Sequence, residues 1–406
     1  MWQERVSWEE ALALMIDSLR PLGEEQVGLT ELLGRTLARD VVAPMDQPPF
    51  DRSPLDGYAL QSGDVQGASR ATPAQLRVLE RVCAGERATQ PVTPGAAIRI
   101  MTGAPLPVGC DCVVRQEDTD QGNPVVEVYA PVRAHQNYVR QGEDYTAGTL
   151  LLTAGTRLDA AAVGLLASAG CDTAWVYRRP RVALLVTGDE VVDPSTHPLP
   201  AGKIYSSNSY LLSARLCELG VEQVSCCTVG DDPQDMAQCI RKLLETHHCL
   251  ITTGGVSVGE RDVLRTALEL VGAKGMFWRV KLKPGTPAMY SLVDGKPVLS
   301  LSGNPFAAAA TFELLGRPML HALCPEPQFS LQPYQAILDT PFQRCCSMRR
   351  FLRGIYAQGH VTLPKGHASG QLRSLVGCNC LVEVPAGHVP LQMGDVCTVY
   401  FINGRE

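Results

Sequence analysis

Three segments of the chain join glycine to residues able to handle phosphate or metal. They are Thr187-Gly188-Asp189-Glu190, the stretch from Gly254-Gly255 through Ser257 and Gly259 to Asp262, and Ser302-Gly303-Asn304-Pro305. Glycine lets backbone N–H groups approach an anion closely, and a helix start adds a favourable dipole. Pro305, at an expected first helical position, wastes no donor. A phosphate site suits these segments, although tight strand-to-helix turns need the same glycines. Neither a Walker motif nor G-x-G-x-x-G is present. Glu190, Asp231 and Asp262 each fall just past an expected strand or in its loop. If the sheet is parallel they meet on one rim, where carboxylates beside a phosphate would hold magnesium. Taken singly, each acid would cap a helix or face solvent. Arg279, Lys281 and Lys283 alternate, so a strand there would carry three cations on one face. Such a face needs an anion or carboxylates nearby, or is a solvated edge.

The elements that must position these groups follow from hydrophobic pattern. From residue 180 onward, apolar runs at 181–186, 221–229, 249–253 and 298–301 alternate with amphipathic stretches at 209–219, 233–246, 262–271 and 306–315. That alternation predicts a parallel sheet covered on both faces. Before it, the first ~45 residues read as helix, turn, helix, with Ser7 and Glu10 at capping-box spacing. Residues 44–58 read as an irregular Pro- and Asp-rich loop. Short β-like pieces at 75–82, 97–101, 112–116 and 125–129 suggest an inserted β domain, and 156–170 reads as a helix. After Pro325, close Gly and Pro spacing points to a terminal β domain.

Composition narrows the class. The chain has 406 residues, net charge −6, 45% hydrophobic and 19% charged residues, which suits several globular domains rather than a disordered tail or a polybasic nucleic-acid binder. No apolar run is long enough to span a membrane and the first residues lack a signal-peptide core, so the expected location is cytoplasmic, with no nucleic-acid or membrane partner. The fifteen cysteines include Cys110-x-Cys112, Cys226-Cys227, Cys345-Cys346 and Cys378-x-Cys380 but no Cys-x-x-Cys. They read as reduced thiols filling small core gaps, with metal binding by thiols as the alternative.

Seven ordered motifs then resemble one family. They are residues 49–59 (Pro49-Phe50-Asp51-Arg52-Ser53-Pro54-Leu55-Asp56-Gly57-Tyr58-Ala59), residues 99–107 around Met101-Thr102-Gly103, Gly142-Glu143-Asp144, Thr187-Gly188-Asp189-Glu190, residues 254–259, Lys283-Pro284-Gly285 and Gly303-Asn304-Pro305. Across nearly its whole length the chain resembles the molybdopterin molybdenumtransferases, the MoeA family, whose fold is shared with the gephyrin E domain. The resemblance implies an α/β and β multi-domain protein. Residues 1–48 and 140–178 would form a linker and dimerisation domain, 49–139 an inserted β domain, 179–325 a MogA-like three-layer α/β domain, and 326–406 a β-barrel domain.

It also implies the reaction: molybdate is inserted into adenylylated molybdopterin and AMP is released, with magnesium present. The implied partners are a second copy of the chain, a MogA-like adenylyltransferase, and a molybdoenzyme or cofactor carrier. Asp56, Thr102 and Asp144 would face the cleft from one subunit, and Glu190, Asp231, Asp262 and Lys283 from the other. Glu190, Asp231 and Asp262 would hold the metal. Gly188, Asp189, Gly254, Gly255, Ser257, Gly259, Lys281, Pro284, Gly303, Asn304 and Pro305 would contact the substrate.

The chain departs from the family's pattern where an oxyanion would bind. Thr286 stands for a second lysine, Ser302 for a proline and Ala307 for a small hydroxyl residue. The usual Gly-Arg-x-Glu-Phe segment becomes Ser347-Met348-Arg349-Arg350-Phe351, which puts Met348 at the arginine position. Arg349, Arg350, Lys281, Ser369 and Ser374 are the candidates to compensate. Losing charge-assisted donors weakens anion capture, so the alternative reading is a non-catalytic or metal-specialised paralogue that carries molybdopterin or scaffolds assembly.

Overall fold

The computed structural model describes residues 2–221, 223–256, 263–387 and 390–402. The chain divides into two compact units. One comprises Met1–Glu25, Gly34–Ala38 and Trp175–Glu406, the other Gln26–Leu33 and Arg39–Ala174. Among the described residues, no helix is long and apolar enough to cross a membrane.

The larger unit is built on a seven-stranded sheet. Its order is Gln3–Val6, Lys274–Val280, Met289–Val293, Lys296–Leu301, Cys249–Thr253, Val182–Thr187, Val224–Val229. The strand Val182–Thr187 is buried along its whole length. Its Val182 and Leu184 join one core cluster while Ala183 and Leu185 join another, as the two-residue period of a doubly covered strand requires. Helix Pro233–Thr246 is capped by Asp232, whose carboxylate accepts from the N–H groups of Gln234 and Asp235. It buries Met236, Ala237, Ile240 and Leu244.

The sheet is larger than the alternation implied and not wholly parallel. Met289–Val293 runs antiparallel to both neighbours, and Gln3–Val6 adds a parallel edge strand from the far end of the sequence. A four-residue strand supplied from ~270 residues away leaves no local period to detect. The stretch read as one helix over 306–315 is helix Pro305–Thr311, a π turn Phe312–Gly316 and helix Arg317–Leu323. Pro318 has no N–H to give Leu314, and the Leu314 carbonyl instead accepts from Trp8 Nε1 at 3.0 Å.

In the same unit, Pro333–Leu338, Arg349–Ala357, His360–Thr362, Cys380–Val384 and Val396–Phe401 close into a five-stranded barrel. The two-residue strand Leu282–Lys283 pairs in parallel with Arg349–Ala357, tying the loop after the large sheet to the barrel.

The smaller unit holds a five-stranded sheet in the order Cys112–Arg115, Gly57–Leu60, Ala96–Ile100, Ala74–Val82, Val125–Val128. Helix Ala160–Ser168 starts on an Asp159 cap. The second helix expected in the first 45 residues is absent. Strand Glu24–Gly28 is followed by a single 3-10 turn, Leu29–Glu31, and the positive φ of Gly34 soon ends the helical geometry. Three residues are too few to nucleate an α-helix. The first helix stands as Trp8–Asp17, with the Ser7–Glu10 capping box formed reciprocally.

The cysteines divide by site. Seven are buried, including Cys112, Cys249 and Cys380, but Cys217, Cys226 and Cys345 are exposed and fill no core gap.

Candidate active site

Strand order locates the site. From Val182–Thr187 the chain moves to Val224–Val229 on one side and then to Cys249–Thr253 on the other. The reversal opens a crevice at the carboxyl ends of the strands, the ordinary ligand position in open α/β sheets. A cleft of about 1340 Å³ lies there, and its lining includes Gly188, Glu190, Asp231, Gly254, Gly255 and Asn304. Gly254 has φ +94°, and a Cβ on it would sit 2.5 Å from the Thr187 carbonyl oxygen. Gly254→Ala is therefore expected to destabilise the unit by about 2 kcal/mol or more, since strain and a backbone clash act together. Denaturant unfolding checks it; a loss below about 0.5 kcal/mol would mean that the turn relaxes freely.

The acidic wall comes from two loops. The Asp231 N–H donates to Asp189 Oδ1 at 3.1 Å, and the Asp189 N–H points to Asp231 Oδ2 at 3.4 Å. Gly230 makes room for this latch, because a Cβ there would lie 2.6 Å from Asp189 Oδ1. Lys203 Nζ donates to the Asp189 carbonyl at 2.6 Å, and the Ile204 N–H to the Glu190 carbonyl at 2.8 Å. Glu190 and Asp231 thus line the cleft on loops bonded to their neighbours. Among the described residues no group of three Asp, Glu, His or Cys could by itself hold a metal. Two carboxylates suffice for magnesium when substrate phosphates and water complete its shell, so the donor set fits that ion.

The other wall is basic. Lys283, Thr286, Arg344, Arg350 and His367 all line the cleft. Lys283 and Arg350 are register partners in the parallel pair that links the loop to the barrel. Gly285, φ +97°, lies where a Cβ would meet Thr311 Oγ1 at 2.1 Å, so the turn packs directly on helix Pro305–Thr311. Burial, with Arg353, Arg350 and Arg344 nearby, pushes His367 down to about 4. Beneath this wall Arg353 is fully buried, 3.6 Å from the Phe306 ring centroid, and donates to the Gln371 and Ala368 carbonyls and Ser374 Oγ.

The structure gathers some expected residues and separates others. Gly188, Glu190, Asp231, Gly254, Gly255, Lys283, Pro284, Gly303 and Asn304 line one cleft. Asp189 lies behind Asp231 and Pro305 begins the helix beyond, neither of them among the lining residues. Ser257, Gly259 and Asp262 fall outside the described residues. The three-cation face does not form. Arg279 has φ +64°, which breaks the alternation, and its guanidinium sits 4.3 Å from the Trp278 ring centroid. Lys281 does not line the cleft.

Of the compensating candidates, Arg350 and Ser369 line the cleft, whereas Arg349 is held by Glu9 and Glu383. Ser374 is spent on Arg353 and the Gly366 carbonyl. Met348 is not among the lining residues. The motif reading missed Arg344 and His367, and also Tyr205 and Asn208, whose Nδ2 donates to the Gly303 carbonyl at 2.9 Å. Lys283 and Arg350 are legible in the sequence, whereas the sign for Arg344 is no more than the density of arginine at 344–353.

In the smaller unit Asp56 accepts from the Thr102 N–H at 2.8 Å and from its hydroxyl at 2.7 Å, and these bonds hold its carboxyl below the usual range. The Asp144 N–H donates to the Gln47 carbonyl at 2.9 Å, leaving its side chain exposed.

Comparison with known proteins identifies the family. Residues 6–170 match the "MoeA N-terminal region (domain I and II)", 183–322 the "Probable molybdopterin binding domain", and 335–402 the "MoeA C-terminal region (domain IV)". A protein of Staphylococcus aureus called molybdopterin molybdenumtransferase is 33% identical over 96% of this chain and 94% of its own. Molybdopterin molybdenumtransferase 2 of Mycobacterium tuberculosis is 34% identical over 97% and 98%. Among solved structures, a molybdopterin biosynthesis MoeA protein from Pyrococcus horikosii superposes with TM-score 0.84 at 29% identity, covering 99% of this chain and all of that one. Similarity at this level over 96–97% of the chain, together with the shared fold, makes the chain a member of the molybdopterin molybdenumtransferase (MoeA) family.

Proposed function

We propose that this chain is a transferase of molybdenum cofactor biosynthesis that inserts molybdate into adenylylated molybdopterin and releases AMP. The observation that carries the reading is the make-up of one cleft, lined by the carboxylates of Glu190 and Asp231 from the loops after Val182–Thr187 and Val224–Val229 and by the cations Lys283, Arg344 and Arg350 from Leu282–Lys283 and the barrel. A substrate with a diphosphate at one end and an oxyanion acceptor at the other fits that division. Glu190 and Asp231 would hold magnesium, which when bound would neutralise phosphate charge. The cleft's backbone turns at Gly254 and Gly303 bring peptide groups close to the substrate, and Lys283 attracts the oxyanion.

The chain acts in the cytoplasm as a homodimer, in which Asp56, Thr102 and Asp144 of one subunit complete the cleft of the other. It receives substrate from a MogA-like adenylyltransferase and passes product to a molybdoenzyme or carrier. The four domains are 1–48 with 140–178, 49–139, 179–325 and 326–406. The strands of the five-stranded sheet all fall within 49–139, which supports that division.

One observation favours a second reading, a non-catalytic or metal-specialised carrier. Thr286 lines the cleft where the family's pattern has lysine, and its hydroxyl is bonded to the Leu282 carbonyl at 2.7 Å. AMP release from adenylylated molybdopterin separates the two. The transferase releases AMP only when magnesium and molybdate are both supplied. Tight binding of the adenylylate with no AMP at any molybdate or tungstate concentration would leave the carrier.

A further inference from the structure

Cys227 and Cys239 bring their sulfurs to 3.3 Å, the Cys239 thiol donating to Cys227 Sγ. Cys227 lies on Val224–Val229, the last strand of the large sheet, which among the described residues pairs only with Val182–Thr187. Its own thiol donates weakly to the Thr228 carbonyl at 3.8 Å. Cys239 lies on the helix that follows, Pro233–Thr246. Both side chains pack on one core cluster yet stay half-buried. Cys226 takes the opposite face of the strand, as the two-residue period requires. Thiols elsewhere differ: Cys112, Cys378 and Cys397 are buried and donate to the carbonyls of Leu60, Ser374 and Ala336. Two sulfurs are too few for a tetrahedral metal site, and among the described residues no third ligand joins them.

We propose that Cys227 and Cys239 are a modification site, a dithiol that exchanges with low-molecular-weight disulfides such as oxidised glutathione and, once joined, fastens the loop that presents Asp231. Between the two cysteines run the end of the strand, the Gly230-Asp231 turn, the Asp232 cap and the first turns of the helix. Asp231 lines the cleft, and its loop is otherwise held by the Asp189 latch and the Asp232 cap. A covalent link between the ends of so short a segment removes most of the ways in which it can open. The pair's chemistry needs neither the substrate nor the reaction proposed above.

The order of events follows from the surroundings. Burial, with Cys227 beside it, pushes Cys239 up to about 12, so Cys239 keeps its proton and its S–H supports a thiolate on Cys227. Cys227 gives its proton to solvent and attacks one sulfur of the small disulfide. The reagent's S–S bond breaks, one thiol leaves with a proton, and Cys227 carries the other half. Cys239 then loses its proton, attacks Cys227 Sγ and expels the second thiol. Lys242, one turn further along the helix, favours the thiolate that this step needs. Two protein thiols are oxidised and one small disulfide is reduced to two thiols. The sulfurs close from 3.3 Å to about 2.05 Å, a distance that side-chain rotation covers.

The test is incubation of the full-length protein in glutathione buffers of rising oxidised fraction, followed by acid quench, alkylation and peptide mass spectrometry. Cleavage before Asp231 and Asp235 separates the two cysteines, so a disulfide-linked peptide pair reads the bond. The linked pair is expected in most molecules once oxidised glutathione predominates, and is expected to vanish with dithiothreitol. Cys226→Ser leaves the link intact, whereas Cys227→Ser and Cys239→Ser each abolish it. Cys239→Ser stops with glutathione held at Cys227, and Cys239→Ala repeats the loss should serine disturb the packing. In the linked form the amides of 228–235 are expected to exchange with deuterium more slowly, by about threefold or more. Glutathione found only at the exposed Cys217, Cys226 or Cys345, a link that survives the loss of Cys239, or unchanged exchange at 228–235 in the linked form overturns the proposal.

Discussion

Asp231→Asn is expected to lower the rate of AMP release by about 10- to 100-fold, with most of the loss recoverable at raised magnesium concentration. Asparagine keeps the shape of the side chain, and the Asp231 N–H still donates to Asp189 Oδ1, so the latch between the two loops survives. Only the charge is removed. A charge-assisted contact contributes about 1.5–3 kcal/mol, which converts to that range of rates. The contrasting change is Asp189→Ala, which leaves the Asp231 carboxylate but removes the acceptor that holds its loop. Its loss should persist at high magnesium, because the defect is in position rather than charge. Steady-state AMP release across a magnesium titration separates them, and a wild-type rate for Asp231→Asn would remove Asp231 from the metal set.

Arg353→Leu is expected to destabilise the larger unit by about 3–4 kcal/mol. The guanidinium is fully buried and donates to two carbonyls and a hydroxyl in the loop 366–374 while lying against Phe306. Leucine would leave those acceptors buried and unsatisfied, at about 1–3 kcal/mol each, partly offset by removing a charge from a site that disfavours it. That disfavour is visible in the arginine itself, which burial brings down to about 10. It remains protonated at neutral pH. Because 366–374 carries His367 and Ser369, the same variant should also weaken tungstate binding. Chemical denaturation measures the first effect, and a cost below about 1 kcal/mol would mean that the loop finds other donors.

How much of this was legible beforehand varied with the distance over which each feature is determined. Helix Pro233–Thr246 and strand Cys249–Thr253 were read to the residue, since cap, period and apolar run are all local. The glycines at 188, 254 and 303 announced close backbone approach, and they line the cleft. The edge strand Gln3–Val6 and the pairing of Leu282–Lys283 with Arg349–Ala357 could not be read, because each depends on a partner far along the chain. The π turn is not legible although Pro318 is in view, because its effect depends on distant Trp8, whose Nε1–H donates to the Leu314 carbonyl.

The same division holds for charge. Sequence alone determined the alternating strands and helices, the switch-point loops with their glycines and acids, and the resemblance that comparison turned into family membership. It also supplied the inventory of cations, from Arg279 to Arg353. Which of them are neutralised was decided only by tertiary structure. A positive φ turns Arg279 onto Trp278, Glu9 and Glu383 take Arg349, carbonyls take Arg353, and a two-residue strand pair sets Lys283 beside Arg350 over the cleft. Spacing along a chain gives the face of a single element. The field inside a cleft depends on which elements meet there, and that is settled only when distant segments pack.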